Sequence, residues 1–148
     1  MKENEIDTFH IGVKALIFDK TGKILLLKRD HPLKKIYWDL PGGRLQKNET
    51  LLDALKREVQ EETGLQGIEN FYPVTMFLTN IRIPHKKSDV GLIFSVYKCV
   101  LVEPFEPTLS AEHIDFGWFS VPEVLEKLKM HYPAEFLSQF NFFSCSAN

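Results

Sequence analysis

The chain has 148 residues, 44% of them hydrophobic and 26% charged, with a formal net charge of −2. That is the size and make-up of one globular domain with a real core, here residues 1–148 with 1–9 and 144–148 as loose termini. It excludes a global basic field for holding nucleic acid, so a polyanionic ligand would need local cations or metal.

In chain order, His10–Phe18 is rich in β-formers and predicts a strand. Asp19-Lys20-Thr21-Gly22 reads as a turn and Lys23–Arg29 as a second strand, so the two predict a hairpin. The apolar run of the second strand predicts burial on both faces, and Arg29 closes it. His31–Lys35 is a loop containing Pro32, and Tyr37–Leu40 is a short extended segment in which Trp38 is assigned to packing. It runs into a turn at Pro41-Gly42-Gly43, where two glycines after a proline permit positive φ and close backbone approach. Their amides or carbonyls can then face a metal or a phosphate.

One short helix follows. Asn48 or Thr50 can cap it, Thr50 with Asp53 reads as a capping box, and Gly64 suits the left-handed position that ends a helix. Leu52, Leu55 and Val59 form its apolar stripe with Leu51 at the margin, while Asp53, Lys56 and Gln60 face water. Beyond it, Phe71–Ile83 and Val90–Val102 are β-rich runs joined by a polar loop, Pro84–Asp89, whose His85, Lys86 and Lys87 are solvated. Ser110–His113 leads into another extended run around Trp118-Phe119. Ser120 can cap a helix with Pro122 near its first position, Glu123 at its third, and Val124, Leu125 and Leu128 along it. Pro133 interrupts that helix, and Ala134–Phe143 predicts a final one. Strands on both sides of a helix, with further helices near the C-terminus, predict an α/β sandwich.

The two cysteines, Cys99 and Cys145, sit in neither a metal nor a redox spacing. No apolar run approaches the ~18 residues of a membrane helix. The N-terminus is polar and acidic, unlike a secretory signal, so a cytoplasmic protein with no membrane partner is expected.

The chemistry concentrates on the first helix. Glu58, Glu61 and Glu62 stand at i, i+3, i+4 and share an arc of roughly 100°. Such crowding costs a few tenths of a kcal/mol per like-charged pair. The acids also fill the helix's C-terminal half, where the macrodipole disfavours negative charge. No stability argument puts them there, and a hard divalent cation with oxygen ligands would reverse the cost.

The whole stretch resembles the signature of the Nudix hydrolases: G, five residues, E, seven residues, then R-E-U-x-E-E-x-G-U, with U a bulky apolar residue. Gly43, Glu49, Arg57, Glu58, Val59, Glu61, Glu62, Gly64 and Leu65 fill every fixed position. The resemblance implies a Nudix-type α/β/α sandwich with a mixed sheet, the box helix carrying the site. It implies hydrolysis, at a phosphoanhydride bond, of a nucleoside diphosphate linked to another moiety. Mg²⁺ or Mn²⁺ would be held by Glu58, Glu61 and Glu62, with the backbone of Gly42 and Gly43 facing it. Arg57 and Glu49 would brace the loop against the helix, and Arg29 and Arg44 would reach substrate phosphate. For the general base, Glu112 is the first candidate, since it stands outside the metal-committed helix. His113 competes with it and Glu61 stays in play.

Two rival readings share the fold: a non-catalytic nucleotide-binding regulatory domain, and an isoprenoid diphosphate isomerase needing a reactive cysteine. As to substrate, some subfamilies carry a proline or tyrosine about 16 residues beyond the box. Here that region reads Asn80-Ile81-Arg82-Ile83-Pro84, which matches neither pattern. A small-molecule nucleotide, with a nucleoside triphosphate leading, is the expected partner. Oligomeric state is left open, a homodimer included.

Overall fold

Among the described residues, seven strands and four helices follow one another as β1 (Phe9–Phe18), β2 (Ile24–Arg29), β3 (Tyr37–Asp39), β4 (Gly42–Arg44), α1 (Leu51–Thr63), β5 (Tyr72–His85), β6 (Ser88–Val100), β7 (His113–Phe119), α2 (Val121–Leu128), α3 (Ala134–Leu137) and α4 (Phe140–Cys145). The computed structural model describes residues 4–33 and 35–145. The expected loose ends at 1–3 and 146–148 lie outside the described residues.

Alternation along β1 and β2 builds two cores. Leu16, Phe18, Ile24 and Leu26 point to one face, and Val13, Ala15, Ile17, Leu25 and Leu27 to the other. Both faces are therefore covered, as the unbroken apolar run of β2 predicts. Ala54, Leu55 and Val59 of α1 close the second face. Val124 and Leu128 of α2, with Phe136, Phe140 and Phe143, close the first. The result is an α/β/α sandwich.

The sheet is mixed. Its order is β3-β2-β1-β6-β5, with β4 also paired to β1 and β7 to β2. β1 and β6 run parallel from Phe9↔Gly91 to Phe18↔Val100, and the other pairs are antiparallel. The expected hairpin is cut short, because β1 and β2 register only at Phe18↔Ile24. β2 gives its edges to β3 and β7 instead, and β1 gives its own to β4 over Gly12↔Arg44, Val13↔Gly43 and Lys14↔Gly42. The glycine segment, expected as a turn, is thus a short strand hung on β1. It is flanked by bonds from Ala15 N to Pro41 O and from Leu45 N to Ile11 O, both 2.8 Å.

α1 starts and stops where its caps lie. Thr50 Oγ1 accepts from Asp53 N at 3.1 Å, and Gly64 (φ 80°) donates to Gln60 O at 2.9 Å. The apolar stripe is corrected in one member: Leu52 is exposed, while Leu51 and Ala54 pack inward. The helix is turned so that Glu58 and Glu62 meet the glycine segment, and this carries Ala54 inward and Leu52 out.

Three further expectations change. The Pro84–Asp89 loop is tighter, since His85 registers with Ser88 and only Lys86 and Lys87 turn the chain, Lys86 at φ 56°. The single last helix is two. The side chains of Ser138 (3.1 Å) and Gln139 (2.9 Å) both bond the Glu135 carbonyl and compete for a helical acceptor at the break. The lead-in is engaged before residue 9, with Thr8 O accepting from Gly91 N at 2.9 Å and Asp7 paired to Arg82 at 2.7 Å.

Phe136 is fully buried and stacks on Phe77 at 4.6 Å between centroids. Phe136→Ala should lower unfolding free energy by about 3–5 kcal/mol in urea denaturation. Leu52→Ala should stay within about 0.5 kcal/mol, as for an exposed position.

Candidate active site

A cleft of about 770 Å³ is lined by residues of β1 to β6, of α1 and of the segment before β7. One wall is the box. Gly42 N–H donates to Glu62 Oε1 at 2.8 Å, so the end of α1 is bonded directly to the glycine backbone. Gly42 sits at φ +152°, and a Cβ there would stand 1.9 Å from Val13 O. A Cβ on Gly43 would fall 2.4 Å from the Glu58 carboxyl carbon. Only glycine lets β4 pass between β1 and the acids of α1.

Arg57 ties the strand, the loop and the helix together. Its Nε and Nη2 grip Glu49 at 2.6 and 3.0 Å, and its Nη1 donates to Glu58 at 2.7 Å and to Glu61 at 3.4 Å. Nη2 also reaches Arg44 O at 3.4 Å, and Glu49 accepts from Gln46 N at 2.8 Å. The Arg57 hydrogen bond, followed by that of Gln46, holds the Glu49 carboxyl below the usual carboxylate range.

The three box acids differ in surroundings. Glu62 is buried at 5% exposure, Glu58 is partly covered, and the Glu61 side chain is 58% exposed. Burial pushes the Glu62 carboxyl up to about 8, with Lys14 and the Gly42 N–H opposing and Glu58 and Asp39 adding to the rise. Among the described residues, no three acid, imidazole or thiol side chains converge on one point as they stand. Glu58 and Glu61 share the Arg57 guanidinium, and Glu62 is turned to Gly42. The donor set nevertheless fits a hard divalent cation: carboxylate oxygens alone, one of them in need of a counter-charge, beside a backbone kept clear of side-chain atoms.

Arg29 and Arg44 both line the cleft. Arg29 stands 3.7 Å from Glu112, and Arg44 Nη1 lies 3.3 Å from His10 Nδ1. Glu112 lines the cleft and its side chain is 63% exposed. His113 beside it is buried, lies 3.2 Å through Nδ1 from Ser110 Oγ, and does not line the cleft. Burial, reinforced by Arg29, lowers its basicity. Trp38 packs edge-on against Phe119 at 5.0 Å.

Reasoning from the residue pattern missed a buried polar group beside the cleft. Lys14, 5% exposed, donates to Asp39 Oδ2 at 3.1 Å and to Leu40 O at 3.2 Å, and the Tyr132 hydroxyl donates to Asp39 Oδ1. The available signal was Lys14 itself, the lone lysine within the otherwise apolar run from Ile11 to Phe18.

Residues 8–140 match the family model of the NUDIX domain. The chain belongs to the Nudix family. A CTP pyrophosphohydrolase of Escherichia coli K12 is 30% identical over 118 residues, 78% of this chain and 80% of that protein. An RNA pyrophosphohydrolase of Bartonella henselae is 43% identical over 64 residues, 39% of this chain and only 37% of its own length. The crystal structure of a MutT protein from Methanosarcina mazei Go1 superposes with TM-score 0.64 and 30% identity, covering 95% of this chain and 96% of that one. Several relatives are named as pyrophosphohydrolases or phosphatases of nucleotides, and the chain is a Nudix hydrolase, of the class that acts on acid anhydrides in nucleoside diphosphate-linked compounds. The family generally uses divalent metal ions. Among the described residues, no helix is long and apolar enough to cross a membrane.

The buried Glu62 of this Nudix domain generates a pH dependence. Its ordinary value is 4.5 and its folded value about 8, so the folded chain holds the extra proton between them. Stability from this group is fully present below 4.5 and is lost as pH rises through about 8. In chelator, the melting temperature should fall between pH 5.5 and 8.5, and Glu62→Gln should flatten that slope. Equal slopes in both proteins would remove Glu62 as its origin.

Proposed function

We propose that this Nudix hydrolase is a Mg²⁺- or Mn²⁺-dependent nucleoside triphosphate pyrophosphohydrolase. The observation that carries the reading is that Glu58, Glu61, Glu62 and Gly42–Gly43 all line one cleft together with Arg29 and Arg44. The 30% identity to a CTP pyrophosphohydrolase over most of both chains supports the triphosphate as substrate.

Glu58, Glu61 and Glu62 would hold the cation, with Gly42 and Gly43 offering backbone beside it. When bound, the ion neutralises phosphate oxygens and acidifies water. Arg29 and Arg44 orient the phosphate chain by charge-assisted hydrogen bonds. The Glu112 carboxylate takes the proton of the attacking water as its oxygen bonds phosphorus and the bridging P–O bond breaks. Arg57 and Glu49 do no chemistry. They keep the β4–α1 loop on the helix so that Glu58 and Glu61 start from fixed positions.

Glu112 is favoured over His113 because it faces the cleft, whereas His113 is buried with lowered basicity. The isomerase reading is disfavoured by Cys99, a buried thiol that burial pushes up to about 12, which is inert by that measure.

Nucleoside triphosphates, dinucleoside polyphosphates and ADP-ribose, each assayed for phosphate and pyrophosphate release, test the reading. Pyrophosphate from a triphosphate with Mg²⁺, abolished by chelator, is expected. Glu62→Gln should lose most turnover and bind Mn²⁺ more weakly while melting no earlier than native in chelator. A fully active variant would refute the site assignment.

The base is tested by pH–rate profiles under saturating Mg²⁺. Glu112→Gln should cut kcat about 100-fold or more and abolish the acidic limb. His113→Ala should keep that limb. Near-native turnover with an unchanged limb in Glu112→Gln would transfer the role to Glu61.

A further inference from the structure

The glycine segment is held from beneath by one side chain. Lys14 registers opposite Gly42 across the β1–β4 ladder. Its stem passes under that glycine so closely that a Cβ on Gly42 would stand 2.9 Å from Lys14 Cδ. Its ammonium then bonds Leu40 O at 3.2 Å and Asp39 Oδ2 at 3.1 Å, the two residues that lead into Pro41. Asp39 is itself fixed, since its Oδ1 accepts from Leu40 N at 2.8 Å and from the Tyr132 hydroxyl. The Phe94 ring packs against the ammonium at 5.1 Å.

Sheet formation does not call for this charge. Val13, Ala15, Leu16 and Ile17 around it are fully buried and apolar, and an aliphatic residue at position 14 would complete the run. Burying a cation is costly unless it is paired. What the lysine secures is the path of residues 39 to 42. That path aims the Gly42 N–H, whose bond to Glu62 Oε1 is 2.8 Å, and so sets where the Glu62 carboxylate stands.

We infer that Lys14 is a positioning residue for the divalent cation that Glu58, Glu61 and Glu62 would hold: by tethering Asp39 and Leu40 to β1 it orients Gly42 and, through it, Glu62. The inference rests on the metal assignment made under the proposed function. It is separable from simple electrostatics by sign. Removing a nearby positive charge should by Coulomb's law tighten binding of a divalent cation. Loss of the tether should weaken it.

The test is Mn²⁺ titration, with free Mn²⁺ followed by electron paramagnetic resonance, on the native chain and two variants. Lys14→Met keeps the stem and removes the tether, and Kd for Mn²⁺ should rise at least tenfold. It also strands the Asp39 charge, so melting temperature should fall. The double variant Lys14→Met with Asp39→Asn removes both charges. It should regain melting temperature while its Mn²⁺ affinity stays at least tenfold below native, and it serves if the single variant does not fold. Unchanged or tighter Mn²⁺ binding in Lys14→Met, or recovery of affinity together with melting temperature in the double variant, would overturn the inference and leave the metal reading standing. A native chain that binds no Mn²⁺ would overturn both.

Discussion

The site depends on one close approach. The backbone of Gly42 and Gly43 passes between β1 and the last turns of α1 with no room for a side chain on either residue. At Gly42 the obstacle is the β1 backbone, which cannot move without undoing the ladder. At Gly43 it is the Glu58 carboxyl, which can swing away. The same missing atom therefore has two meanings. The first glycine lets the sheet form, and the second lets an acid stand against the backbone. The caps of α1 follow from this. Thr50 and Gly64 fix the helix's start and end, hence the depth at which Glu62 meets the Gly42 N–H.

Negative charge gathered in this way has to be offset. The chain does so with two cations of different character. Arg57 is a planar fork, and it spreads over Glu49, Glu58 and Glu61 in a geometry that lysine could not reproduce. Lys14 is a point charge on an apolar stem, suited to a narrow site under Gly42. Burying an unmatched ion costs several kcal/mol even after relaxation. Among the described residues Glu62 has no cation in salt-bridge contact, and burial favours its neutral form.

Much of this was legible in the residue order because it is local. The i, i+3, i+4 acids, the capping threonine, the closing glycine and the Arg57–Glu49 spacing all fall within 23 consecutive residues, Gly43 to Leu65. The two-faced burial of β2 was legible from its unbroken apolar run. What escaped is what tertiary contacts decide. Leu52 fits the helical stripe by spacing, but the bond from Gly42 to Glu62 sets the helix's rotation, and Ala54 turns inward in its place. The β1–β2 hairpin looked complete, but β3 and β7 claim the edges of β2 and leave one registered pair. Tyr132 and Asp39 are 93 residues apart, and neither spacing nor periodicity joins them. Lys14 alone left a trace, as a charge where the strand pattern wanted none.

This division explains why the reaction class is easier to read than the substrate. The acids assigned to the cation and the glycine backbone beside them come from one short strand and one helix, so their spacing survives as a linear pattern. The rest of the cleft is assembled from distant pieces: Tyr37 and Asp39 on β3, Ile81 and Ile83 on β5, Leu92 and Phe94 on β6, and Ser110 and Glu112 before β7. Those residues meet only because the sheet brings their strands side by side. Ile81, Ile83, Leu92 and Phe94 line the cleft together with Lys14 and Asp39, so apolar and charged groups from distant strands meet in it. The make-up of that part of the cleft is therefore set by the sheet's registers, whereas the acid cluster is set by one short strand and the helix that follows it.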